Sequence, residues 1–237
     1  DADCYPSSDQ WLEQMALGFA GEKEIVLGYG AYEKKEGLLN ALIRYDTFSN
    51  GVFYLAAAVR KKPFMGVGRN LAYHRGLFFR NKGFSTHYHL KSGDDDLFIN
   101  QVATASNTNV CVHPDAVTYS KPANSFREWR LQKARHLTTA PLYNAASKAR
   151  LGFNHFSQYF FYIALAGLAF STNTLLLIPI MLLLKITAQI LVLGRIAKKL
   201  GARDLLPAAL FYELVLLFIY PIFHATKLFA GQKKWMN

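Results

Sequence analysis

The chain has 237 residues, 51% hydrophobic and 18% charged, with a formal net charge of +11. That length admits one large domain or two smaller ones. Two cysteines in no metal-ligand spacing argue against a disulfide-stapled secreted domain and for a reducing, cytoplasmic setting. Up to His155 the text is mixed, with 19 Lys and Arg against 14 Asp and Glu; from Phe156 onward it runs nearly continuously apolar, with eight against two. The reading is a polar head of about 155 residues and a membrane tail of about 80. Much of the positive excess sits beside apolar segments, where anionic lipid is a simpler partner than nucleic acid.

In chain order, "SSDQWLEQMALGFA" places Trp11, Leu12 and Met15 at helical spacing, with Ser8 or Asp9 as N-cap and Gly18 and Gly21 closing the helix. "EIVLGYGAYEK" reads as a short strand and a Gly-containing turn. Residues 38–48 are helical, and "GVFYLAAAV" continues as a helix or a buried strand. "FMGVGRNLAYHRGLFF" predicts a strand or loop, then a helix opening near Tyr73. "NVCVHPDAVTYS" alternates like a strand. "SFREWRLQKARHLTTAPLY" is a basic helix with Phe126 and Trp129 as aromatic anchors, suited to a membrane interface or to an ordinary surface. The head is therefore α/β.

The tail holds three apolar segments, 156–170, 174–194 and 205–226. The first is short for a span, since about 20 residues cross the hydrocarbon core. Lys185 lies near the middle of the second, where a cation costs ~3 kcal/mol on insertion scales. A cytoplasmic head with "STNT" outside returns the basic stretch "GRIAKKLGARD" to the cytoplasm, as the positive-inside rule prefers. Pro207, Glu213 and Pro221 allow the last segment to be re-entrant or interfacial. The expectation is a membrane region over 156–227 with two to three transmembrane or interfacial helices.

Three stretches carry chemistry. In "DADCYPSS", Asp1 and Asp3 at a strand end would share a side, roughly 6.5–7 Å apart at Cα, and so hold a hard divalent cation. In "SGDDDLFINQ", a charge run of this kind is ordinarily solvated; the apolar "LFI" directly after it pins the acids to a helix start instead. Repulsion and partial burial there would raise a pKa toward that of a general base. In "QKARH", Gln132 and Arg135 project from one helical face, where a guanidinium grips phosphate oxygens or merely joins a surface charge pair. His87 and His89 share a strand face in "THYHL", but with no third ligand nearby they are read as packing or hydrogen-bonding residues.

Taken in order, these stretches resemble a membrane-associated family 2 glycosyltransferase of GT-A fold, over Asp1 to about Tyr143. "DADCYPSSDQWL" is similar to the metal-binding Asp-x-Asp motif, "FMGVGRNLAYHRGLFF" to the acceptor-side loop, "SGDDDLF" to the catalytic acid motif and "QKARH" to the Gln-x-x-Arg-Trp motif. The resemblance implies that residues 1–150 are the C-terminal portion of a GT-A domain, whose nucleotide-binding half would precede Asp1. It implies that this stretch alone transfers little sugar.

By position, Asp1 and Asp3 would hold Mg²⁺ or Mn²⁺ on the diphosphate of a nucleotide-sugar donor. Counting back three from Leu97 selects Asp94 as base, with Asp95 the runner-up. Gln132, Arg135 and His136 would face the donor diphosphate and acceptor channel, and Gly68 and Asn70 would shape the acceptor side. The acceptor would be lipid-linked or a saccharide, at the cytoplasmic face of the inner membrane. His136 stands where the family motif has Trp, which favours transfer of a single sugar over processive extrusion. Two rivals remain at this point: a haloacid-dehalogenase-like phosphatase, which "DADCYP" fits poorly, and a non-catalytic membrane scaffold or transporter component.

Overall fold

The computed structural model describes residues 2–90, 92–170 and 172–229. The head is mixed α/β. Strands β1 (Cys4–Pro6), β2 (Ile25–Leu27), β3 (Gly30–Tyr32), β4 (Leu71–Tyr73), β5 (Thr108–Val110) and β6 (Thr118–Ser120) form two small sheets. One has the order β1-β6-β3, with β6 antiparallel to β1 and parallel to β3; the other is β4-β2-β5, with β2 antiparallel to β4 and parallel to β5. The chain passes between them four times. "EIVLGYGAY" is therefore two strands rather than a strand and a turn, and it bends at Gly28, where a Cβ would meet the Asn70 side chain at 2.4 Å. "NVCVHPDAVTYS" is likewise two strands, because Pro114 opens a 3-10 turn between them and interrupts the ladder.

Helix α1 (Trp11–Ala16) starts one residue later than its sequence signal. Ser8 accepts the Gln10 N–H at 3.2 Å rather than capping the first helical turn. The long α2 (Leu38–Val59) includes "GVFYLAAAV", so the helical alternative holds there. Its Gly51 leaves room for the Tyr29 ring, which a Cβ would meet at 2.6 Å. Tyr73 ends β4, and α3 (Arg75–Arg80) follows it. Next come α4 (Asp96–Val102) and α5 (Phe126–His136). Ser125 caps α5 by accepting the Glu128 N–H, while Glu128 accepts the Asn124 N–H one residue outside the motif's usual reciprocal bond. Fully buried Ile25, Leu27, Phe48, Phe64, Phe98, Ile99 and Trp129 form the core between sheets and helices.

Helices α6 (Ala145–Leu168), α7 (Leu177–Lys199) and α8 (Ala209–Phe229) complete the chain. Among the described residues, two helical stretches, Thr172–Lys199 and Arg203–Lys227, are long and apolar enough to cross a membrane. The most apolar window of the first is wholly unburied, whereas that of the second is partly buried against the head. Helix α8 lies on α5 and α2: Phe223 packs edge-on against Trp129 with centroids 5.0 Å apart, and the Tyr220 hydroxyl donates to Asp46 at 2.5 Å. The basic α5 therefore turns its aromatic anchor Trp129 into protein.

Candidate active site

The three consecutive acids after Gly93 enter three different environments. Gly93 has φ +110, and a Cβ there would meet Leu97 at 2.4 Å, so only glycine turns the chain into α4. Asp94 is exposed. Asp95 caps α4, accepting the Asp96 N–H through Oδ1 at 2.7 Å and, through Oδ2, the Gly68 N–H at 2.7 Å. Burial raises its pKa, and the charge of Asp94 adds to this against the lowering by the two N–H groups. Asp96 turns into the core, where Thr139 Oγ1 and Tyr143 OH both donate to Oδ2 at 2.5 Å. Burial first, then Asp95, pushes Asp96 up to about 6.

Gly68 belongs to a 3-10 turn, Gly68–Asn70, that carries two further side chains. Asn70 is buried and faces protein on every polar atom. Its amide donates to the Tyr29 and Ala116 carbonyls at 2.9 and 2.6 Å, and Oδ1 accepts the Trp11 indole N–H at 3.1 Å. It therefore fixes the turn between the two sheets. Arg69 lies over the Tyr32 ring, 4.3 Å from its centroid, and donates to the Ala31 carbonyl and to Ser120 Oγ at 3.2 and 3.3 Å.

From α5, Gln132 donates to Tyr32 OH at 3.0 Å, so the "QKARH" helix meets the other side-chain partner of Arg69. Arg135 is exposed and lines an open groove of about 540 Å³ with Gln132 and Lys121. Lys133 points the other way and pairs with buried Asp46. His136 is open to solvent at one edge yet crowded by protein. That desolvation, together with the cations Lys133, Arg135 and Arg69, holds its imidazole well below the usual range and neutral.

Asp1 lies outside the described residues. Asp3 is exposed in a turn directly before β1, not at the end of a strand. The Cys4 thiol is 3.6 Å from its Oδ1 and 3.7 Å from Ser120 Oγ, which ties Asp3 to the Arg69 partner on β6. Among the described residues no three His, Cys, Asp or Glu side chains converge on a metal position. Asp3 presents an exposed carboxylate whose hydrogen-bond partner among the described residues is the Cys4 thiol. That fits a Mg²⁺-type site, which takes one or two carboxylates and completes itself with substrate phosphates and water. His87, paired through Nδ1 with Thr86 at 2.9 Å, is a buried packing residue.

One continuous set of contacts thus runs from Asp3 through Cys4, Ser120, Arg69 and Tyr32 to Gln132, with Gly68 joining Asp95 to the same turn. Arg69, Tyr32 and Ser120 were not singled out from sequence. Arg69 stood between two named residues, Gly68 and Asn70, and an arginine on a glycine-flanked turn was the available signal. Tyr32 and Ser120 belong to no motif and become visible only through β3–β6 pairing. No protein-family model matches the chain, and no curated protein matches it.

Proposed function

We propose that this crevice is the C-terminal half of the active site of an inverting, metal-dependent glycosyltransferase of family 2 with GT-A architecture. The observation that carries the reading is the path of contacts through Arg69 that links motifs up to 129 positions apart, from Asp3 by way of Cys4 and Ser120 to Tyr32 and Gln132, with Asp95 on the same turn.

Asp95 is the base in this reading rather than Asp94. Its bond to the Gly68 N–H ties it to the turn that carries Arg69, and each carboxylate oxygen keeps a lone pair beyond the backbone bond it accepts. Its raised pKa favours taking a proton. Asp95 removes the proton of an acceptor hydroxyl as that oxygen bonds to the anomeric carbon. The bond from that carbon to the nucleoside diphosphate breaks on the opposite face, inverting the configuration. Arg135, exposed in the groove, is suited to grip the departing diphosphate, and Gln132 orients Tyr32 and Arg69 beneath it. Asp3, with Asp1, would hold a Mg²⁺ or Mn²⁺ that would neutralise charge on the diphosphate. Neutral His136 in place of the family Trp suits transfer of one sugar.

The head and the α7–α8 loop lie on one side of the tail, since Arg44 pairs with Asp204 through both oxygens. With Arg195, Lys198, Lys199 and Arg203 beside that loop, the positive-inside rule supports a cytoplasmic head on an inner-membrane protein.

The test is release of nucleoside diphosphate from UDP-glucose, UDP-N-acetylglucosamine and GDP-mannose by the full reading frame carrying this chain, in lipid nanodiscs. Release that needs Mg²⁺ or Mn²⁺ and falls at least ~100-fold in Arg135→Ala is expected. Phosphate release from an aryl phosphate, or no metal-dependent nucleotide binding, would overturn the reading.

A further inference from the structure

A second cavity, of about 320 Å³, lies where the head meets the α7–α8 loop. Its volume falls within the range of small-molecule sites and is roughly ten times a water's share of liquid. Tyr29, Tyr32 and Tyr119 line it from the sheet, and Leu200 and Leu205 from the loop. Across it stands a fixed ion group. Arg44, itself buried, reaches both oxygens of Asp204 at 2.8 and 2.9 Å, and Lys34 reaches Oδ2 at 3.0 Å.

The lining narrows what fits. An apolar ligand would strip water from the ion group and the tyrosine hydroxyls without replacing it. An anion would meet the Asp204 carboxylate, which already occupies both cations. A neutral polyol with an apolar face satisfies both constraints. Its hydroxyls replace water at the spare donors of Arg44 and the spare lone pairs of Asp204. Its C–H face lies on an aromatic ring, where apolar contact costs no hydrogen bond. Tyr119 is half-buried with Tyr5 at 6.0 Å from it, and Arg69 covers one face of Tyr32, so both rings are held in place.

We propose that this cavity binds a saccharide unit, either free or as the headgroup of a glycolipid reached from the membrane end of α7. The cavity adjoins the reaction crevice through Tyr32, but its other lining residues play no part in the transferase reading, so a failure of sugar transfer leaves it standing.

The experiment is saturation-transfer NMR on the full chain in phosphatidylcholine nanodiscs. The probes are methyl glycosides of glucose, galactose, mannose and N-acetylglucosamine, together with their octyl counterparts. Binding of at least one at about 10 mM or tighter is expected, weakened about tenfold or more by Tyr119→Leu and little changed by Tyr119→Phe or Arg135→Ala. In the wild-type protein the bound glycoside should also protect Tyr119 from hydroxyl-radical modification, a reading that stands should Tyr119→Leu fail to fold. Preference for the octyl probe assigns the glycolipid source, and equal binding the free saccharide. No binding by any probe, absence of Tyr119 protection, or binding lost in Arg135→Ala but kept in Tyr119→Leu would contradict the proposal.

Discussion

Asp96 shows how three identical residues diverge. Its carboxyl accepts two hydroxyl donors, which favour the charged form, yet burial and the neighbouring Asp95 outweigh them and raise it to about 6. A group raised on folding stabilises the fold fully below its unfolded pKa, about 4, and loses that contribution as pH rises through the folded value. Wild-type stability should therefore fall between about pH 4 and pH 7, by up to ~3 kcal/mol. Asp96→Asn, which cannot ionise there, should lose most of that slope, keeping only what the likewise raised Asp95 contributes. Thermal melts across that pH range give the comparison, and parallel curves for the two proteins would show that Asp96 is not the titrating group. At the same scale, His136 stays neutral, so His136→Gln should leave the pH profile of any activity unaltered from pH 5 to 8.

At the scale of elements, α8 is the one whose role the sequence conceals. Its composition reads as a membrane segment, but Phe223 is fully buried against Trp129 of α5, and Tyr220 bonds Asp46 of α2, which in turn pairs with Lys133 of α5. The helix bearing Gln132 and Arg135 is thus seated on the tail. Phe223→Ala should cost about 3–5 kcal/mol by opening a cavity there, read as a lowered melting temperature.

The helices themselves were legible, because α2, α5 and α7 carry long periodic or apolar runs. The strands were not, since each is three residues long and a bend at Gly28 or Pro114 divides what reads as one segment. At the site, the order of Asp3, Gly68, Asp95 and Gln132 along the chain was readable. Which of Asp94, Asp95 and Asp96 turns toward Gly68 was not, because that choice depends on the φ of Gly93 and on Thr139 and Tyr143, more than 40 positions away.

At the scale of the molecule, the head and tail form one packed unit, and a polar cluster ties the apolar helices together. Lys185 on α7 pairs with Glu213 on α8 at 2.7 Å, Gln189 takes the other Glu213 oxygen at 2.5 Å, and the ammonium lies 4.4 Å from the Phe161 ring centroid on α6. A cation that looked costly in the middle of an apolar segment is therefore paired. Removing one partner strands the other charge, so Lys185→Met should destabilise the protein by about 3–5 kcal/mol, while Lys185→Met with Glu213→Gln should recover most of that. Equal losses in the single and double variants would mean the pair contributes nothing through its charges.

The central claim is that Asp95, tied by the Gly68 N–H to the Gly68–Asn70 turn, is the base of a sugar transfer. Its most direct test is nucleotide-sugar turnover by the full reading frame in nanodiscs, comparing Asp95→Asn with Asp94→Asn. Loss of about 10³-fold or more is expected for Asp95→Asn, with donor binding retained, and less than about tenfold for Asp94→Asn. Full turnover in Asp95→Asn, or its loss in Asp94→Asn alone, would contradict it.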